Sequence, residues 1–249
     1  MNGSELISPA LLSAVSFFVV GLGILMVAVH TGILALAAQS TPLSPSLKIG
    51  TPLVAGALLA AWLGWALLAE SARVVVPELP AVAGRIVQRP MLLLAMSGMV
   101  ALGIAVLFVS KTIRTINAAT PSAWLVGVQL YRVAGVMFLW PFLAGNALPA
   151  GFALPAGIGD MLTGIAAPFV ALALARHRPG ARAAAVAWNW FGILDLIVAP
   201  VAAVLTQSTN IGRFPLLIVP LFLGPPLGIL THIYSLRNLA VNREGWAAK

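Results

Sequence analysis

Long apolar runs, separated by short segments that hold most of the charge, organise this chain. They fall at about 9–38, 50–69, 90–110, 122–144, 155–175, 183–205 and 214–236. A helix rises about 1.5 Å per residue, so each run is long enough to cross most or all of a hydrocarbon core about 30 Å thick. Strands of a membrane barrel would alternate polar and apolar positions over about ten residues, and no segment here shows that alternation. Backbone groups in hydrocarbon must be satisfied within their own element. The pattern therefore predicts an all-α fold: a polytopic transmembrane helix bundle of seven spans, forming a single domain over 1–249. The first run is too long for the core of a cleavable leader, and no Lys or Arg precedes it, so it is expected to stay as a span.

Composition supports the same solvent. The chain is 61% hydrophobic and 8% charged, with a mean hydropathy of +1.03, whereas a soluble domain carries roughly 25% charged residues. The net charge of +8 comes without a long basic run. It reads as loop anchors and topology signals, not as a nucleic-acid surface. No cysteine is present, which excludes disulfides, thiolate metal sites and cysteine nucleophiles.

The basic loops predict orientation. With the N-terminus outside, Lys48, Lys111, Arg114, Arg176, Arg178, Arg182, Arg237, Arg243 and Lys249 lie inside, against Arg73, Arg85, Arg89 and Arg213 outside. Nine against four favours N-out, C-in. Trp124, Trp140, Trp188 and Trp190 sit near run ends, where amphipathic rings favour the headgroup level. Gly56, Ala60 and Gly64 recur every fourth residue, as do Ala95, Met99 and Gly103. Such stripes serve close helix packing, with a homo-oligomer interface as the lesser reading. The segment 70–89 is the longest expected loop, and 145–159 is expected to be a turn-rich link. Pro141, Pro168 and Pro200 interrupt runs, and Pro225-Pro226 falls deep in the last one, where freed carbonyls would line a cavity.

Ionisable groups inside apolar runs are expensive, so they mark the candidate chemistry. Arg132 and Asp195 lie near mid-depth in the fourth and sixth runs, while Asp160 lies nearer the outer face in the fifth. Equal depth makes Arg132 and Asp195 the expected pair. One guanidinium against two carboxylates then leaves Asp160 to take a proton, face an aqueous vestibule or bind a cation. Gln129 is one turn from Arg132, and Asn146 is fourteen residues beyond it on the same face. The candidate ligand-binding set is Arg132, Asp195, Asp160, Gln129, Asn146 and Asn189. The segments Gln129 to Gly135 and Gly157-Ile158-Gly159-Asp160 have the look of signatures.

His30 and His232 fall at similar expected depth near the inner face, with Met26 one turn from His30. They are the candidate ligands of a haem or metal ion, in an alternative reading as a redox protein. No motif specifies a cofactor. Nucleophile elbow, His-Glu-x-x-His and phosphate loop are all missing, and the last run carries no lysine for a retinal Schiff base. The sequence thus leans away from an enzyme. The first expectation is a membrane protein that binds or transports a small solute, proton or cation, with lipid as its surroundings. A non-catalytic accessory subunit is a further alternative. The expected location is a membrane crossed many times, with a prokaryotic plasma membrane as the particular one.

Overall fold

The computed structural model describes residues 9–71, 83–145, 148–206 and 222–242. Every regular element among them is helical: α1 Pro9–Gln39, α2 Pro45–Ser71, α3 Ala83–Val109, α4 Lys111–Ala119, α5 Ser122–Gly127, a 3₁₀ segment Val128–Gly135, α6 Val136–Gly145, α7 Ala150–Ala175, α8 Ala181–Leu205 and α9 Pro225–Val241. Among the described residues, five stretches are long and apolar enough to cross a membrane: Ser13–Gln39, Pro45–Leu68, Ser122–Leu143, Ala150–Ala175 and Ala181–Ala203. A sixth is α3 continued into α4 across a bend of 88°. Within the five stretches only 17–39% of the most apolar window is buried. The rest turns side chains such as Phe17, Leu53, Phe169 and Leu194 outward, an apolar surface that suits lipid better than water.

Several expected boundaries move. The expected loop 70–89 is shortened at both ends, because α2 runs to Ser71 and α3 begins at Ala83; the residues between them lie outside the described ones. The expected link 145–159 is helical from Ala150, with Pro155 inside α7. Pro155 is in the second turn of that helix, where it removes one bond of the ladder, the one to the Gly151 carbonyl. The Pro225-Pro226 pair does not kink a span. It starts α9 after Gly224, where a missing N–H is harmless and the fixed φ suits a helix. Residues 214–221 of the expected last span lie outside the described ones, and α9 itself has 17 residues, about 26 Å of helix.

The helices pack as neighbours in sequence and around α9. α1 lies on α2, α7 on both the 3₁₀ segment and α8, and α9 touches α3, α5 and α8. One apolar cluster joins α1 and α2 to the residues that lead into α9, with Trp62 edge-on to Phe222 at 5.3 Å. Gly56 of the small-residue stripe faces Thr31 of α1, and Gly103 faces Leu230 of α9. The centre is polar instead. Thr231, His232, Ser235 and Asn238 of α9 are all buried, inverting the soluble-protein pattern as a bundle in lipid requires.

Candidate functional site

The fourth apolar run holds the unusual backbone. Eight residues, Val128–Gly135, are wound as a 3₁₀ helix between α5 and α6, longer than the three or four residues such windings commonly reach. With three residues per turn, positions i, i+3 and i+6 fall in line. The buried residues of the segment are Gln129, Arg132 and Gly135, which is that spacing. An α-helix would spread the same three around its axis. α7 comes up against this face through small residues. A methyl group on Gly135 would overlap Asp160, and one on Gly164 would overlap the backbone of Arg132 and Val133.

Arg132, 2% exposed, organises the site. Its Nε donates to Asp160 Oδ1 at 2.7 Å, and its Nη2 reaches the same oxygen at 2.6 Å. Nη2 also donates to Asp195 Oδ2 of α8. Nη1 donates to the Gly192 carbonyl at 3.3 Å and to His232 Nε2 at 3.2 Å. Four hydrogen bonds and the ion-pair contact of Nη2 with Asp160 engage all three nitrogens of the guanidinium. Asp160 is therefore not left over as the depth argument expected; it shares Arg132 with Asp195. Asp160 Oδ2 and Asp195 Oδ1 accept no hydrogen bond from the described residues. α7 and α8 are close enough for this only because Gly159 has no side chain: a methyl group there would meet the Asp195 carboxylate.

The polarity of the network follows from Arg132. A guanidinium only donates, so His232 Nε2 must accept. The proton of a neutral ring then sits on Nδ1, which donates to Asn189 Oδ1 at 2.9 Å. The Asn189 amide is oriented to match, with Nδ2 donating to the Ala185 carbonyl at 2.8 Å and to Ser235 Oγ at 3.1 Å. Trp188 lies 4.9 Å from the His232 ring and donates to the Thr163 carbonyl at 3.1 Å. Buried in that way, it is a core residue, whereas Trp124 and Trp190 are exposed. Gln129 donates to the Gly228 carbonyl at 3.1 Å, and its Oε1 is buried with no partner among the described residues. On the other side of the segment, Tyr131 donates to the Leu223 carbonyl at 2.6 Å. Tyr131, Arg132 and Asp160 border a cavity of about 30 Å³, lined also by Val19 and Leu22 of α1 and by Leu223. That is room for about two water molecules.

The two candidate metal ligands do not face each other. His30 bonds the Met26 carbonyl at 2.8 Å and Thr231 Oγ1 at 3.2 Å. Thr231 and His232 point about 100° apart around α9. A metal on His232 Nε2 would have to displace a guanidinium and sit beside its charge. Asn146 lies outside the described residues. The sequence reasoning missed His232 as a neighbour of Arg132 and Ser235 as a partner of Asn189. A signal was present: Thr231, Ser235, Asn238 and Asn242 recur at helical spacing, a polar stripe on an apolar helix.

An all-helical fold with several bilayer-length apolar helices, and its ionic groups gathered inside, is the build of multi-pass membrane proteins. The chain belongs to the family described as Domain of unknown function (DUF8737), which matches residues 89–240. No curated protein and no solved structure matches it. The matched stretch contains Arg132, Asp160, Asn189, Asp195 and His232, while α1, which lines the cavity, lies before it.

Proposed function

We propose that this is an integral membrane protein that binds a proton or a small cation at the Arg132–Asp160–Asp195 cluster, and moves it toward the cavity beside Tyr131. The observation that carries this is the charge count within the network. Two carboxylates share one guanidinium, and each of its three nitrogens already has a partner. An anionic solute would have to compete with those partners for Arg132. A proton or cation would find Asp160 Oδ2 and Asp195 Oδ1, and would complete the charge balance that burial demands. The reading includes seven spans with the N-terminus outside, in a prokaryotic plasma membrane.

The test is reconstitution in vesicles with an internal pH dye, and sodium or potassium gradients as alternatives. The wild type should dissipate one of these gradients. Asp160→Asn and Asp195→Asn should each abolish the flux while the protein remains folded. Unaltered flux in both variants overturns the reading. A second reading is favoured by the same saturation of Arg132: the cluster serves only to lock helix packing, as in an accessory subunit. Replacing Arg132, Asp160 and Asp195 together by apolar residues should then preserve the fold and the partner.

A further inference from the structure

A second set of polar groups sits at the opposite end of α9, away from the ionic cluster. α4 leaves α3 at 88°, so where α3 crosses a bilayer α4 lies along its surface. It is fastened there by amides. Asn117 Nδ2 donates to the Tyr234 carbonyl at 3.0 Å, and Asn238 Nδ2 donates to the carbonyls of Asn117 and Thr120 at 2.5 and 2.8 Å. Asn242 donates to the Ala118 carbonyl at 3.0 Å. Ser122 donates to Asn238 Oδ1. The fastening brings two cations together. Arg237 Nη1 donates to Asn117 Oδ1 at 2.8 Å and approaches the Arg114 carbonyl at 3.4 Å. Arg114 Nη1 donates to the Phe108 carbonyl. The charge of Arg114 disfavours that of Arg237.

Neither has a carboxylate partner among the described residues. The remaining nitrogens, Nε and Nη2 of both, make no hydrogen bond there either. Other cations gather at the same end and are likewise turned to backbone oxygens: Lys48 to the Gln39 carbonyl and Arg182 to the Leu239 carbonyl. Two guanidiniums held at one elbow by neutral acceptors, at the level where an amphipathic helix meets the headgroups, have the chemistry of a phosphate clamp. We propose that Arg114 and Arg237 bind the phosphate of an anionic phospholipid headgroup at the α3–α4 elbow. This does not depend on the proton or cation reading.

The experiment follows thermal unfolding of the full chain in detergent by tryptophan fluorescence. The additions are phosphatidylglycerol, phosphatidylcholine or inorganic phosphate. Phosphatidylglycerol at about ten times its dissociation constant should raise the midpoint by roughly 3–6 °C over phosphatidylcholine. Arg114→Gln and Arg237→Gln should each remove most of that difference, whereas Arg178→Gln in the α7–α8 turn should keep it. Each variant is referred to its own midpoint in phosphatidylcholine, so an intrinsic loss of stability does not confuse the result. Should a glutamine variant not fold, Arg114→Lys and Arg237→Lys keep the charge but lose the fork, and should show a reduced difference. An equal lipid effect in wild type and all variants overturns the site. Inorganic phosphate reproducing the shift at millimolar concentration overturns the lipid as its occupant.

Discussion

Gly159→Ala is the sharpest perturbation of the cluster, because it adds one methyl group and no charge. The methyl would fall on the Asp195 carboxylate. Either α7 and α8 part to admit it, at about 1–3 kcal/mol for overpacking, or Asp195 swings away and gives up a charged hydrogen bond worth about 1.5–3 kcal/mol. Alanine also returns up to about 1 kcal/mol of helix propensity. The net loss should be about 1–2 kcal/mol. Gly98 of α3 is the control, since a methyl there meets nothing within 4 Å, and its replacement by alanine should gain about 0.5–1 kcal/mol. Unfolding titrations with SDS in mixed micelles, followed by tryptophan fluorescence, give both values. Repeating Gly159→Ala in an Asp195→Ala background isolates the cause, because the methyl then has no carboxylate to strike. The reasoning is refuted if Gly159→Ala behaves like Gly98→Ala, or if the double variant is additive within about 0.5 kcal/mol.

Other outcomes follow from the same geometry. Arg132→Met leaves two carboxylates without their cation and should lose about 3–5 kcal/mol. Asp195→Asn leaves one guanidinium on one carboxylate and should lose no more than about 1.5 kcal/mol in the same titration; equal losses would contradict the charge count. Asn238→Ala uncovers the Asn117 and Thr120 carbonyls and should lose about 1–3 kcal/mol. Hydrogen exchange at α4 should rise with it, and unchanged exchange would deny α9 its fastening role. Trp188→Phe keeps the ring against His232 but loses the bond to Thr163. It should lose about 0.6 kcal/mol, and not above about 1.7, the range for such bonds in membrane bundles.

The members of the site were more legible than their pairing. Arg132, Asp160 and Asp195 stand out because charge within apolar runs is rare, and the run Gln129 to Gly135 that drew notice became the 3₁₀ segment. Depth counted along ideal helices found the Arg132–Asp195 pair but left out Asp160, which shares the same guanidinium. A 3₁₀ turn rises about 2.0 Å per residue against 1.5 Å, so Arg132 sits about 2 Å further along its span than the count allows. An arginine side chain also reaches past a full turn. His232 was expected near the inner face, yet its Nε2 accepts from Arg132, which was expected near mid-depth.

Composition and patterning by themselves determined the solvent, the helical class and the scarce ionic groups, because these depend on local hydrophobicity and on the backbone's need for internal hydrogen bonds. Which groups meet was decided only in three dimensions. Arg132 is 28 residues from Asp160, 63 from Asp195 and 100 from His232, and no periodicity spans such separations. What brings them together is the rotation and close approach of α7, α8 and α9 about the 3₁₀ face, set by side-chain volumes at Gly135, Gly159, Gly164 and Gly192 on helices far apart in the chain.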